Sequence, residues 1–168
     1  IECLLARVLR QHGVPAPSCT FDALADGDTT RGAQSVERVV GESLELRDAD
    51  EAATLRGLRA AAAALARVHA LRGAGAGPLS LVQLRSSAIA GLHTSWCKFM
   101  HLRLEEHLRQ CVAMGAMSAV EAGRADQAFS GPLLADAASA ALLHGDPGGH
   151  NFIMKGDTVV GVIDWEDA

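Results

Sequence analysis

Residues 143–167 read LHGDPGGHNFIMKGDTVVGVIDWED, and this stretch decides how the rest of the chain is read. Two short apolar runs, 152–155 and 159–163, flank Gly156-Asp157, which is the signal of a β-hairpin. Asp146, Asn151 and Asp164 stand at or beside the ends of these runs, where strands would hold them rigidly. Two carboxylates and an amide oxygen make a hard, oxygen-rich donor set. Such a set suits Mg²⁺ on nucleotide phosphates and leaves one carboxylate to accept a proton. Taken alone, Asp-Pro-Gly-Gly closed by an Asn is an ordinary turn. His144 before it and Ile-Asp-Trp-Glu after it shift the reading to a functional loop.

Working outward, residues 133–141 are expected to be helical, with Leu142-Leu143 starting a strand into the loop. Residues 118–129 form a helix opened by Ser118 and Glu121 in capping-box spacing. A longer helix is expected over 93–114, its stripe of Trp96, Met100, Leu104, Leu108 and Cys111 serving as packing. The clearest helix is 49–72, where Leu55, Leu58, Leu65, Val68 and Leu71 keep helical spacing around an alanine run. The glycines at 73, 75 and 77 with Pro78 read as a flexible linker, since no Lys-Ser/Thr follows to make a phosphate loop. Near the N-terminus, residues 1–12 form an amphipathic helix stopped by Gly13, Pro15 and Pro17. Strands are expected at 18–24 and near 34–40, separated by a turn at Asp26-Gly27-Asp28.

The 168 residues suit one domain or a large piece of one, and 49% hydrophobic content permits a core. A net charge of −5 argues against a nucleic-acid partner, and no apolar run reaches the length of a membrane span. Cys3, Cys19, Cys97 and Cys111 show no CxxC spacing, so reduced thiols in a cytoplasm are expected. The chain starts without Met and stops two residues after Glu166, which reads as a fragment of a longer protein.

His-Gly-Asp at 144–146, Asn151 five residues after the Asp, and Ile-Asp-Trp-Glu at 163–166 resemble the aminoglycoside phosphotransferase and choline kinase-like family. Upstream, 13–17, 35–44 and 65–71 are similar to that family's helix-to-strand link, its strand and hinge, and its long helix. The resemblance implies an α+β protein-kinase-like fold, with 1–40 as a remnant of the N-terminal lobe and hinge. Residues 41–168 would be the helical C-terminal lobe, carrying the catalytic loop and metal-binding hairpin. It implies an ATP- or GTP-dependent, Mg²⁺-assisted transfer of phosphate to the hydroxyl of a small molecule, aminoglycoside-like or choline-like.

Under that resemblance Asp146 is the catalytic base, and Asn151 and Asp164 hold the metal. His144 and Gly145 support the loop, and Glu2 falls where the family places the partner of a phosphate-binding Lys. Glu37, Arg38 and Val39 fall at the nucleotide hinge, and Glu166 is a candidate substrate contact. The sequence departs from the commoner loop at Gly148, where the family carries a His; here a His comes later, at 150. The family's phosphate loop and Lys would precede Glu2, so residues 1–168 by themselves are expected to be inactive. Two other readings stay open: a non-catalytic nucleotide-binding or scaffold relative, and a metal-dependent hydrolase using His144, Asp146 and His150.

Overall fold

The computed structural model describes residues 1–23, 32–46, 50–129 and 140–168. The expected turn at 26–28 and most of the expected helix at 133–141 lie outside these residues. Helices and short antiparallel strands are mixed throughout, an α+β arrangement. Among the described residues, no helix is long and apolar enough to cross a membrane.

The core forms where α1 (Glu2–Gln11), α2 (Glu51–His69) and the C-terminal hairpin meet. Leu5, Val8 and Leu9 of α1 are buried, at i, i+3 and i+4, so one stripe of a short helix reaches the interior. Gly13 ends the helix with φ +73°, and the amides of Gly13 and Val14 return to the carbonyls of Arg10 and Leu9. Asp50 caps α2 by accepting from the Ala53 amide at 2.7 Å.

The face that α2 buries is not the expected leucine stripe. Gly57, Ala61, Ala64 and Val68 are buried, whereas Leu55 and Leu58 are 46% and 52% exposed. Small side chains let the helix lie close against β9, which it contacts.

The hairpin is β8 (Phe152–Lys155) and β9 (Thr158–Val162), with Gly156 at φ +59° in its turn. β3 (Glu42–Ser43) extends it to an antiparallel sheet in the order β3-β8-β9. A second antiparallel pair joins β1 (Cys19–Ala23) to β2 (Gly32–Val36), Cys19 facing Val36. The strand expected near 34–40 therefore ends at Val36, and 37–40 continue without regular structure. The Val162 amide donates to the carbonyl of Pro15 at 2.6 Å, joining the turn after α1 to the end of β9.

Three expectations in the middle of the chain are corrected. The glycine-rich patch is not a loose linker: β4 (Arg72–Gly73) pairs with β7 (Ala140–Ala141), and β5 (Ala76–Leu79) pairs with β6 (Gly91–His93). The strand expected at Leu142-Leu143 is thus placed two residues earlier, at the end of the span read as a helix. The single helix over 93–114 is two, α4 (Trp96–Met100) and α5 (Leu104–Ala113), broken where Arg103 takes φ +61°. After the short α3 (Leu81–Arg85) and these two comes α6 (Ala119–Phe129), whose capping box forms as expected. No residue of α4, α5 or α6 is buried, so the stripe from Trp96 to Cys111 is not core.

The cysteines also differ from expectation. Cys3 on α1 and Cys19 on β1 form a disulfide, with Cα atoms 4.8 Å apart and a sequence separation of 16. Neither residue signals this locally; the packing of α1 on β1 brings them together. Closing a loop of that length restricts the unfolded chain by about 3 kcal/mol. Cys19→Ser, or reduction of the wild type, should therefore lower unfolding stability by about 2–4 kcal/mol. Urea midpoints with and without reductant measure it, and identical midpoints would show that the bond contributes nothing.

Candidate active site

The loop between β7 and β8 carries the first group. Gly145 has φ +90°, and a Cβ there would lie 2.4 Å from the carbonyl oxygen of Asp167, so only glycine fits. The next residue, Asp146, is exposed. Its backbone carbonyl accepts from Asn151 Nδ2 at 3.0 Å, which closes the loop. Asn151 is 2% exposed, and its amide nitrogen is committed to that bond. The atom left to serve a cation is its side-chain oxygen. The carbonyl of Asn151 in turn accepts from the Ile163 amide at 3.0 Å, one residue before Asp164. Asn151 is thus tied to the residues on both carboxylate-bearing segments.

Asp164 sits at the end of the hairpin with φ +64°, a conformation that Asp and Asn tolerate better than most residues. This turn away from the strand brings its carboxylate to two others. Glu2, Asp164 and Glu166 each place a carboxylate oxygen within 4.8 Å of the others. Glu2 also accepts from Gln34 Nε2 at 2.9 Å. The sequence assigned Glu2 and Glu166 to separate tasks, and nothing local announces that they meet. His144, Asp146 and His150 do not form a corresponding group among the described residues. His150 lies between two carboxylates instead, 3.3 Å from Asp146 Oδ2 and 3.3 Å from Glu45 Oε2.

His144 supports the loop from inside. It is 1% exposed, and its Nε2 lies 2.9 Å from the Ile163 carbonyl, so Nε2 carries the proton and donates. Its ring packs on Trp165 at 4.4 Å between centroids, and Trp165 donates to the Val162 carbonyl. Burial holds the His144 pKa below its ordinary value. The Ile163 contact and the charges of Asp146 and Asp164 oppose that shift without cancelling it.

A histidine held neutral in the fold costs stability in acid. Above the ordinary value of 6.5, both folded and unfolded states carry it neutral. Below that value the unfolded chain binds a proton that the folded chain refuses, so stability falls as pH drops toward the lowered folded value. Comparing urea midpoints at about pH 7.5 and pH 5.5, the wild type should lose more stability across the interval than His144→Gln. Equal losses would remove His144 from the acid response.

A cavity of about 300 Å³ borders this group, lined by Glu2, Gln34, Glu37, Val39, Ile153 and Asp164 among others. Of the three expected hinge residues, Glu37 and Val39 line it and Arg38 does not. The Glu37 carboxylate accepts from the Ser18 amide at 2.9 Å and hydroxyl at 2.8 Å, and these bonds lower its pKa. A Cβ on Gly161 would lie 2.8 Å from Val39, so the glycine lets Val39 settle on β9.

A model of the phosphotransferase enzyme family matches residues 4–168, nearly the whole chain. The chain belongs to that family. No curated protein and no solved structure matches it. Membership in the phosphotransferase family accords with the resemblance carried by residues 144–151 and 163–166, and it implies the protein-kinase-like fold. It also indicates a phosphotransferase enzyme.

Proposed function

We propose that this phosphotransferase moves the γ-phosphate of ATP or GTP to a hydroxyl group of a small molecule. The observation that carries the reading is the double tie of Asn151, to the carbonyl of Asp146 and to the amide of Ile163 beside Asp164. It couples a loop bearing an exposed carboxylate to a hairpin end bearing another. Phosphoryl transfer needs an oriented acceptor, neutralised phosphate charge and in-line geometry, with little covalent work by the protein. Asp146 orients the acceptor hydroxyl and takes its proton.

The donor set fits Mg²⁺. Its carboxylate oxygens at Glu2, Asp164 and Glu166 and the amide oxygen of Asn151 are hard ligands, and no thiol or imidazole belongs to the group of three. Asp164 and Asn151 would hold the ion, which supplies charge neutralisation on the nucleotide phosphates. The smaller cavity, between α1, the β1-β2 pair and the hairpin, is the nucleotide side. Residues 1–40 then act as part of a first lobe with its hinge, and 41–168 as part of the second. A nucleoside triphosphate donor accords with a cytoplasmic setting, in which the Cys3–Cys19 bond is open to reduction.

Incubation of the full-length protein with γ-labelled ATP, Mg²⁺ and a panel of alcohols tests the reading. Label should pass to an acceptor, only with Mg²⁺ present. Nucleotide binding without transfer to any alcohol would favour the scaffold reading.

A further inference from the structure

A second and larger cavity, about 970 Å³, borders the residues that follow the same hairpin. The smaller cavity takes Asp164 and Trp165 in its lining, whereas the larger takes Glu166 and Asp167. The larger one also reaches Gly145, the residue before Asp146. Two spaces therefore border one group of carboxylates, as a donor and an acceptor must. Its volume falls at the upper end of small-molecule sites.

Its wall is mostly apolar. Leu79, Ile89 and Leu142 line it, as do Trp96 and Phe99 of α4. The Trp96 and Phe99 rings lie 5.5 Å apart, and His93 backs Phe99 at 5.3 Å. Gly77, at φ +78°, permits this wall, because a Cβ there would lie 2.7 Å from the Phe99 ring and 2.8 Å from that of His93. Trp96 remains 41% exposed, on a helix that buries no residue. Among the described residues, the charged ones in the lining are Arg72, Glu166 and Asp167. Two carboxylates offset by one guanidinium do not select a polycation.

Resting on the phosphotransfer reading, we infer that the acceptor is a ring-built, largely apolar alcohol that lies against Trp96 and Phe99, with its hydroxyl toward Asp146. Its oxygen bonds to the γ-phosphorus as the bond from that phosphorus to the β–γ bridging oxygen breaks. The nucleoside diphosphate leaves, and the hydroxyl proton goes to Asp146.

The test uses the full-length protein, androsterone as a rigid apolar monoalcohol, and neamine as a polyamino sugar. Binding is measured by equilibrium dialysis, and transfer by γ-labelled ATP. Androsterone should bind at least about tenfold tighter than neamine, a gap of 1.4 kcal/mol or more. Trp96→Ala should weaken androsterone binding by about tenfold, and Trp96→Phe should restore most of it, since a ring face suffices. Trp96 is exposed, so the substitutions leave the core intact, and circular dichroism confirms folding. Tighter binding of neamine, or no response to Trp96→Ala, overturns the inference; label transfer to neamine would still uphold phosphotransfer. Androsterone binding that depends on Trp96 without transfer to any alcohol upholds the pocket and overturns the phosphotransfer reading.

Discussion

Asp146→Asn in the full-length protein should lower turnover by roughly 10²–10⁴-fold, the range for loss of general-base assistance. The substitution is a clean one for a structural reason. Asn151 bonds to the backbone carbonyl of Asp146 and not to its carboxylate, so the loop stays closed when the side chain becomes an amide. What disappears is the proton acceptor, together with the charge that faces His150. KM for the nucleotide should change little, because Asp146 is not among the residues lining the cavity proposed to hold it. Steady-state kinetics that separate kcat from KM decide it. Turnover near that of the wild type would remove Asp146 from the role of base.

Asp164→Asn should move activity and stability in opposite directions. Asparagine tolerates the φ of +64° that this position demands, so the backbone can be kept. One charge leaves a group in which three carboxylates sit within 4.8 Å of each other. Like charges at that range repel, so the metal-free variant should melt at the same temperature as the wild type or higher. The stabilisation that Mg²⁺ gives the wild type should be lost. Turnover should fall roughly 10²–10³-fold, matching several kcal/mol of lost charge stabilisation. Melting curves with and without Mg²⁺ are the readout. A wild type indifferent to Mg²⁺, or a variant that keeps the full Mg²⁺ shift, would contradict the assignment.

The loop at 144–151 and the hairpin were legible because polar residues flank apolar runs at short range. Periodicity alone could not show which side of α2 meets the sheet. Both a leucine stripe and an alanine face repeat helically, and close approach to β9 selects the smaller one. Strand β4 was hidden because its partner lies far along the chain, at Ala140–Ala141, and β5 because the short α3 intervenes before its partner at Gly91–His93. The break at Arg103 has no glycine or proline to announce it. The meeting of Glu2 with Asp164 and Glu166 spans nearly the whole sequence, and only the family resemblance hinted that Glu2 belonged near the site. The stripe from Trp96 had the right spacing for a helix. None of it enters the core, and only its first residue, Trp96, lines the larger cavity.

The bond from the Val162 amide to the Pro15 carbonyl acts as a clasp. Val162 is fully buried and stands two residues before Asp164, while Pro15 follows directly on the turn that ends α1. The clasp fastens the turn after α1 to the end of β9. Glu2 at the start of α1 and Asp164 just past β9, residues at the two ends of the sequence, are thereby kept within reach of each other.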